Sequence, residues 1–265
     1  MGSKATFAQR TIGALVGRIT NVKAVILGGT TGIGRAIAQK LAARGDDIFL
    51  MGLEETDLAR SAEDLKARGS KQIGHAVCNL EHPDTFAAAL DAADTALGNF
   101  DTVIVTSAMF ATQDALEADV ELTRRLVTVN YANTVVFCEH VRKRLLSRGG
   151  GQLTVFSSVA GDRGRKPVAI YGSSKGGLAI YLEALDHKFH VDGLNVLCVK
   201  PGFVKTGMTA GLKPPPFAGE PDQVASDVIA AIDAKKPIVY TPSIWALVMF
   251  VIRLLPRFVM RKIGF

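Results

Sequence analysis

The chain has 265 residues, of which 48% are hydrophobic and 7% aromatic, and its formal net charge at pH 7 is +6. This length suits a single α/β domain, and the composition excludes a disordered or fibrous protein. The basic residues are scattered and no aromatic-basic RNA motif accompanies them, so the charge does not indicate binding to nucleic acid.

The two ends of the chain differ in character from its middle. We expect an N-terminal extension over residues 1–20, one α/β domain over 21–240 and a basic, amphipathic tail over 241–265. Residues 1–20 lack the continuous apolar stretch and the cleavage site of a secretory signal. We therefore expect a cytoplasmic protein.

The cysteines and histidines do not indicate a metal centre. Cys78, Cys138 and Cys198 are odd in number and lie in apolar runs, which predicts buried thiols in a reducing compartment. His187 and His190 are spaced as metal ligands on a helix can be, but no third ligand is evident. We predict no metal site.

A glycine-rich turn follows the first predicted strand. The strand covers residues 22–27, and the segment GGTTGIG then opens into an amphipathic helix. Glycines at such a turn let the backbone approach a pyrophosphate, and the helix N-terminus offers unpaired N–H groups. The residues of this turn that we expect to bind a dinucleotide are Gly28, Thr30, Thr31, Gly32, Ile33 and Gly34.

The end of the second predicted strand, over residues 47–51, bears on the choice of cofactor. An acid at this place selects NAD, and a base accepts the 2′-phosphate of NADP. The strand is followed by Gly52 and Leu53 and then by Glu54 and Glu55, so neither rule is cleanly met. Because the two glutamates would repel an extra phosphate, they favour NAD(H) over NADP(H).

Further strand-like runs alternate with helical ones along the chain. These runs cover residues 71–80, 100–108, 151–158 and 194–202. Such alternation predicts a parallel sheet with helices on both faces. The expected fold class is α/β, with a Rossmann-type doubly wound parallel sheet in a single domain and a C-terminal amphipathic helical extension.

A tyrosine and a lysine four residues apart indicate a proton-transfer site. Tyr171 and Lys175 share one face of a predicted helix, and Ser158 ends the strand that precedes it. A phenol is a weak acid or base at neutral pH unless a neighbouring cation lowers its pKa. We expect Lys175 to be that cation.

Together these motifs resemble the short-chain dehydrogenase/reductase family along nearly the whole chain. The shared order is the glycine turn, Asn130 in VTVNYANT, Ser158 placed 13 residues before Tyr171, then Lys175 and finally PGFVKT. The resemblance implies an NAD(P)(H)-dependent oxidoreductase that interconverts a ketone and a secondary alcohol.

The family resemblance also implies a role for each of these side chains. Tyr171 gives or takes the substrate proton, and Ser158 forms a hydrogen bond with the carbonyl oxygen. Lys175 lowers the pKa of Tyr171 and holds the nicotinamide ribose. Asn130 places a water molecule in a proton relay, and Thr206 contacts the nicotinamide end. Further cofactor contacts are implied for Leu53, Asn79, Ser107, Pro201, Gly202 and Val204.

The cofactor site departs from the family pattern at two places. The run Thr106-Ser107-Ala108-Met109 stands where Asn-Asn-Ala-Gly is usual, and Asn79 stands where an adenine-binding Asp is usual. Both departures concern the fit of the cofactor rather than the reaction.

The second half of the chain is similar to a narrower group of these enzymes. Segments 171–178, 199–213 and 252–265 resemble reductases that act on a 2-keto pentose carried by a polyprenyl phosphate, after a separate flavin oxidase has made the ketone. This implies a lipid-linked sugar substrate and a flavin oxidase partner. The helical runs over 120–147 and 171–190 resemble the dimer helices of the family, which implies a homo-oligomer.

A basic loop lies between Ser158 and Tyr171. Guanidinium groups match phosphate oxygens well, so we expect at least one base of Arg163, Arg165 and Lys166 to pair with a substrate phosphate. The alternative is a solvated basic loop.

Two other functions stay open at this point. One is the reduction of a soluble ketone, an acyl thioester or a steroid, which would need no lipid. The other is a nucleotide-sensing regulator that keeps the fold without turnover. A regulator has no need to keep Ser158, Tyr171 and Lys175 together, which favours an enzyme.

The tail, IWALVMFVIRLLPRFVMRKIGF, is apolar but carries regularly spaced bases. Arg253 interrupts it after only nine residues, too early for a helix that spans a bilayer. We expect Thr241 as the N-cap and Pro242 as the first helical residue, with a division into two helices at Pro256. The expected basic stripe holds Arg253, Arg257 and Arg261, and the expected apolar face holds Ile244, Val248, Val251, Leu255 and Phe258.

An apolar face opposite a basic one is typical of a helix that lies at a membrane surface. This pattern predicts peripheral contact with the inner face of the cell membrane. The alternative is a tail that packs on its own domain or on a partner subunit.

Overall fold

The computed structural model describes residues 21–264. The N-terminal extension predicted for residues 1–20 lies outside the described residues. Strands and helices alternate from β1 to the seventh strand, and two short helices close the chain.

Seven parallel strands form one sheet in the order β3-β2-β1-β4-β5-β6-β7. Because the order reverses at β1, the carboxyl ends of β1 and β4 border the crevice in which such sheets bind ligands. The strands are β1 Lys23–Leu27, β2 Asp47–Gly52, β3 Ile73–Val77, β4 Thr102–Val105, β5 Gly151–Phe156, β6 Leu194–Pro201 and β7 Ile238–Thr241.

Helices cover both faces of this sheet. A π-helical stretch, Thr128–Asn133, joins the α-helices Val120–Val127 and Thr134–Ser147 into one long helical segment. The α-helices are α1 Gly32–Arg44, α2 Glu55–Arg68, α3 Phe86–Leu97, α4 Gln113–Ala118, α5 Val120–Val127, α6 Thr134–Ser147, α7 Ala169–Phe189, α8 Pro221–Asp233, α9 Ile244–Leu254 and α10 Arg257–Lys262.

The core consists of two apolar layers, one on each face of the sheet. Along β1, Val25 and Leu27 pack with α3, α6 and α7, whereas Ala24 and Ile26 pack with α1, α2 and α8. Successive side chains of a strand point to opposite faces, so a strand covered on both faces is apolar throughout. The doubly wound α/β fold expected from the sequence is confirmed.

The start of the tail differs from the expectation. Thr241 is the last residue of β7, a strand that the sequence analysis missed, and the helix begins only at Ile244 after Ser243. The prediction that Thr241 and Pro242 start the helix is therefore wrong. Thr241 instead donates from Oγ1 to a carboxylate oxygen of Asp227 at 2.6 Å, which ties the end of β7 to α8.

The expected faces of the tail also need correction. The chain does divide at Pro256, because α9 ends at Leu254 and α10 begins at Arg257. Arg253 thus lies on a different helix from the other two arginines, and no single stripe joins the three. On α9 the side chains that pack against the domain are Trp245, Val248, Met249 and Ile252. Val251 was expected on the same face as Val248 but is exposed.

The three cysteines are free and buried, as the sequence predicts. Burial raises the pKa of Cys78 to about 12 and that of Cys198 to about 11. Within residues 21–264, no helix combines the length and the hydropathy that crossing a bilayer requires.

Candidate active site

A cavity of about 550 Å³ runs along the carboxyl ends of the strands. It extends from the glycine turn after β1 to α7, so the predicted dinucleotide site and the predicted proton-transfer site border the same space. Of the residues predicted to bind the cofactor, those that line the cavity are Gly28, Thr30, Thr31, Gly32, Ile33, Gly34, Leu53, Asn79, Ser107, Tyr171, Lys175, Pro201 and Thr206.

The glycine turn has the close contacts that a dinucleotide site requires. Gly28 has a φ of +93°, and a Cβ there would lie 2.5 Å from Oγ1 of Thr106. A Cβ on Gly34 would collide with the carbonyl oxygen of Gly28. Larger residues at either position would push α1 away from β1.

Thr106, one of the departures from the family pattern, holds this turn. Its Oγ1 donates to the carbonyl oxygens of Leu27 and Gly28 at 3.0 and 3.1 Å. The hydroxyl therefore keeps the glycine turn attached to the end of β4 without the amide that is usual in the family.

These residues fit a nicotinamide dinucleotide. The glycine turn and the N-terminus of α1 would hold the pyrophosphate, and the wall formed by Tyr171 and Lys175 would face the nicotinamide half. When bound, the nicotinamide donates or accepts a hydride at the substrate carbon.

Carboxylates border the cavity beside the end of β2. Glu54, Asp57 and Glu81 line it there together with Leu53. Glu55, which was expected to act with Glu54, does not line it; its carboxylate contacts Nε2 of His75 at 2.9 Å instead. Sequence analysis missed Asp57, which lies in the first turn of α2.

Asn79 also borders this end of the cavity. Its Oδ1 accepts a hydrogen bond from the backbone N–H of Glu81 at 2.9 Å. The side chain thereby shapes the turn after β3, and Glu81 is fixed further by a bidentate pair with Arg125.

Lys175 is buried on α7 with its ammonium group near the end of β5. Its Nζ donates to the carbonyl oxygen of Phe156 at 2.8 Å and lies 5.9 Å from the ring centroid of Tyr171. Burial lowers the pKa of Lys175 to about 8 because it penalises the charged form.

The pKa of the Tyr171 phenol is determined mainly by its apolar surroundings. Burial raises its pKa to about 12, while a hydrogen bond with Ser158 acts in the opposite direction. The ring is partly accessible and packs edge-on against Phe110, with the centroids 5.3 Å apart. Desolvation of the phenol is therefore the larger influence on the pKa of Tyr171.

Ser158 lies at the N-terminus of a short 3₁₀ turn directly after β5. Its Oγ accepts from the N–H of Ala160 at 3.1 Å, which leaves the hydroxyl proton free to be donated. Neighbouring Ser157 donates to the carbonyl oxygen of Lys175 at 2.8 Å and so joins the serine segment to α7.

Asn130 is fully buried in the π-helical stretch. Its Oδ1 accepts from the N–H of Met109 at 2.7 Å, and its Nδ2 donates to the Met109 carbonyl at 2.8 Å. The amide thus holds the segment after β4, where Ser107 and Met109 line the cavity. Both ends of the side chain take part in this contact, which fixes the orientation of the amide.

Two predicted cofactor residues do not line the cavity. Gly202 is covered by the indole of Trp245, with which a Cβ at this position would overlap. Val204 is buried in the apolar layer between the sheet and α8. For Gly202 the tail helix causes this difference, since the packing of Trp245 onto the loop after β6 is not visible in the local sequence.

The basic loop contacts the tail. Arg163 donates to the carbonyl oxygen of Leu255 at 2.8 Å, and Lys166 donates to that of Arg261 at 2.7 Å. Arg165 is different: its Nε is buried and has no hydrogen-bond partner among the described residues. Burial lowers the pKa of Arg165, and the charge of Asp162 acts against this.

Among residues 21–264 there is no group of three His, Cys, Asp or Glu side chains that could hold a metal ion.

Comparison with known proteins agrees with this architecture. A family model described as short chain dehydrogenase matches residues 22–216. An uncharacterized oxidoreductase of Mycobacterium tuberculosis is 33% identical over 240 residues, which cover 90% of this chain and 95% of the relative. A cis-4-hydroxycyclohexanecarboxylate dehydrogenase of Sinomonas cyclohexanicum is 27% identical over 220 residues, or 81% of each chain.

A solved structure has the same fold. The chain is similar to a short-chain type dehydrogenase/reductase from Mycobacterium ulcerans, with a TM-score of 0.73 and 22% identity over 82% of this chain and 86% of that one. The family match and the mycobacterial relative together assign the chain: it belongs to the short-chain dehydrogenase family and is an NAD(P)-dependent oxidoreductase.

Proposed function

We propose that this oxidoreductase reduces a ketone on a sugar that is carried by a polyprenyl phosphate, as decaprenylphosphoryl-2-keto-pentose reductases do. The observation that supports a lipid-linked substrate is the position of α9. Its inner face packs on Val159, next to Ser158, while its outer face exposes large apolar side chains. A polyprenyl chain needs such an apolar surface near the point where its sugar is reduced.

The protonation state of Tyr171 is compatible with the proposed reduction. A phenol with a pKa of about 12 keeps its proton at neutral pH. It can therefore donate that proton to the carbonyl oxygen as the alcohol forms, while the hydroxyl of Ser158 donates a hydrogen bond to the same oxygen. Positive charge on Lys175 would stabilise the negative charge that develops on the phenol oxygen.

The carboxylates around the cavity support NAD(H) as the cofactor. Glu54 and Asp57 line it beside Leu53, whereas the charge of Glu81 is offset by Arg125. Lys175 is the one cationic side chain among the described lining residues. A 2′-phosphate would meet like charges near Leu53 and no base to bind it.

The basic loop is the segment that supports the predicted contact with a substrate phosphate, because it lies between Ser158 and Tyr171 in the chain. Arg163 and Lys166 donate to uncharged carbonyl oxygens of the tail, so neither positive charge is paired with an acid among the described residues.

The proposed substrate implies partners. A flavin oxidase would supply the ketone by oxidising the corresponding sugar alcohol, and a homo-oligomer would form through the helical segments 120–147 and 171–190. Both expectations rest on the family resemblance.

A second candidate is the reduction of a soluble ring ketone. It is favoured by the relative from Sinomonas cyclohexanicum, whose name describes a dehydrogenase for a hydroxylated cyclohexane carboxylate. Such an activity would not depend on the apolar tail.

The experiment compares a polyprenylphosphoryl 2-keto pentose with the same keto sugar lacking the lipid and with 4-oxocyclohexanecarboxylate. NADH oxidation is followed by absorbance, and the product is identified by mass. We expect the lipid-linked sugar to have the highest kcat/KM. Faster turnover of either soluble ketone would contradict the lipid-linked substrate while leaving the reductase chemistry intact.

A further inference from the structure

A second recess lies between the basic loop and the end of the tail. It has a volume of about 400 Å³ and is bordered by the loop before α7 on one side and by α10 on the other. Its lining consists of Arg163, Gly164, Lys166, Arg257, Met260 and Arg261.

The recess is strongly cationic. Four of its six lining residues are Arg or Lys, and none of these four forms an ion pair with a carboxylate in the part of the chain that the structure describes. Arg163 and Lys166 donate only to uncharged backbone carbonyls of the tail. Four cations without a compensating acid attract an anion with several oxygen atoms.

The surface beside the recess is apolar. Leu247, Phe250, Val251 and Leu254 follow one another at helical spacing on α9, and they are 61%, 55%, 51% and 68% exposed. Phe258 of α10 continues this surface at 65% exposure. We call these five residues the outer face; the buried side of α9 lies on the opposite side of the helix, so folding of the domain does not explain the outer face.

We propose that the recess and the outer face together form a membrane-docking site, in which the recess binds the phosphate of an anionic phospholipid and the outer face enters the acyl-chain boundary. An apolar face bordered by unpaired bases is the combination that holds a helix in the plane of a bilayer surface. Each base near an anionic surface adds to the attraction.

Charge argues against a second copy of the chain as the occupant. A symmetric pair would use the same patch on both subunits. Each copy would then bring its own Arg257 and Arg261 towards those of the other, and no acidic side chain of the tail could offset them, because residues 241–264 contain none. An anionic bilayer supplies the missing negative charge.

The inference extends the proposed function, because a lipid-linked substrate would be met at a bilayer. Its main test is vesicle binding, which involves no turnover, so that result does not depend on which ketone the enzyme reduces. The full-length protein is sedimented with vesicles of phosphatidylcholine that contain phosphatidylglycerol, and with vesicles of phosphatidylcholine alone. We expect binding to the anionic vesicles that weakens strongly between about 0.05 M and about 0.5 M salt.

Two variants separate the parts of the site. Arg257→Gln/Arg261→Gln removes two charges of the recess but keeps the backbone carbonyl that Lys166 contacts. We expect its affinity for anionic vesicles to fall by about tenfold or more. Phe250→Ser/Leu254→Ser removes exposed apolar side chains and should lower binding even at low salt.

Matched controls make the same kinds of substitution at exposed positions away from the tail. Lys66→Gln/Lys71→Gln removes two exposed charges near the opposite, β3 edge of the sheet, and Val120→Ser/Val191→Ser removes two exposed valines. Both controls should bind vesicles as the wild type does. Thermal unfolding of every variant verifies that the domain is folded.

Several results would overturn the inference. If Arg257→Gln/Arg261→Gln bound anionic vesicles as tightly as Lys66→Gln/Lys71→Gln, the recess would have no role in membrane binding. If Arg257→Gln/Arg261→Gln bound vesicles as the wild type does but had a raised KM for a lipid-linked sugar, the recess would bind the substrate and not the membrane. Unchanged vesicle binding by the Phe250→Ser/Leu254→Ser variant with loss of an oligomer in sedimentation velocity would make the outer face a subunit contact.

Discussion

At the scale of single residues, burial shifts the pKa values of the two titratable groups of the active site in opposite directions. It raises the pKa of Tyr171 to about 12 and lowers that of Lys175 to about 8. Near neutral pH the phenol is therefore protonated and the amine charged. This pairing suits a site that donates a proton to a carbonyl oxygen and stabilises the phenolate that is left.

The reduction rate should follow the charge of Lys175. The charged form exists below its pKa of about 8, so we predict a constant rate near neutral pH that falls as the pH rises through this value. The phenol of Tyr171 and the thiol of Cys198, with pKa values of about 12 and about 11, keep their protons there.

Initial rates of ketone reduction from about pH 6 to about pH 10 test this prediction. NADH affinity measured by fluorescence over the same range serves as the control, because a loss of cofactor binding would give a similar profile. A rate that stays level or rises above pH 9 in the presence of bound NADH would be inconsistent with a charged Lys175.

The carboxylates beside Leu53 should set the cofactor preference. We predict that NADH binds at least about tenfold more tightly than NADPH, since that factor needs only about 1.4 kcal/mol of like-charge repulsion. Glu54→Gln/Asp57→Asn should reduce the difference by improving NADPH binding. Titration of nicotinamide fluorescence with both cofactors measures it. A preference of the wild type for NADPH would mean that a base outside the cavity lining reaches the phosphate.

At the scale of elements, Asp162 joins the serine loop to two strands. Its carboxylate accepts from Nζ of Lys200 on β6 at 2.6 Å and from the hydroxyl of Tyr240 on β7 at 2.7 Å. The side chains of Asp162 and Lys200 are only 2% and 11% exposed. Burial lowers the pKa of Lys200, but the hydrogen bond and charge of Asp162 outweigh it and raise the pKa overall. This cluster helps to fix the segment that begins at Ser158.

Asp162→Asn should destabilise the fold substantially. The change leaves the Lys200 ammonium buried without its counter-charge, and breaking such a pair costs about 3 to 5 kcal/mol. Urea unfolding measures the loss. The exposed pair of Glu121 and Arg124 is the control, since Glu121→Gln should cost less than about 1 kcal/mol. Equal stability of Asp162→Asn and wild type would show that the pair is not a structural link.

At the scale of the whole molecule, the features that could be predicted are those that depend only on the local sequence. Strands covered on both faces are apolar runs, and a glycine turn between a strand and a helix is recognisable without tertiary contacts. The four-residue strand β7 lacks such a signal, and so does the packing of Trp245 on Gly202. The expected face of α9 was wrong because both sides of this helix are apolar, so the sequence pattern does not show which side packs on the domain.

The most direct test of the account is the rate at which Tyr171→Phe reduces the proposed substrate, a polyprenylphosphoryl keto sugar, relative to wild type. The substitution removes the proton donor and keeps the ring that packs on Phe110. We predict a loss of roughly 10² to 10⁴ in kcat, with NADH binding retained in a fluorescence titration. A rate within about tenfold of wild type would contradict the assignment of Tyr171 as the proton donor and, with it, the proposed reaction at this site.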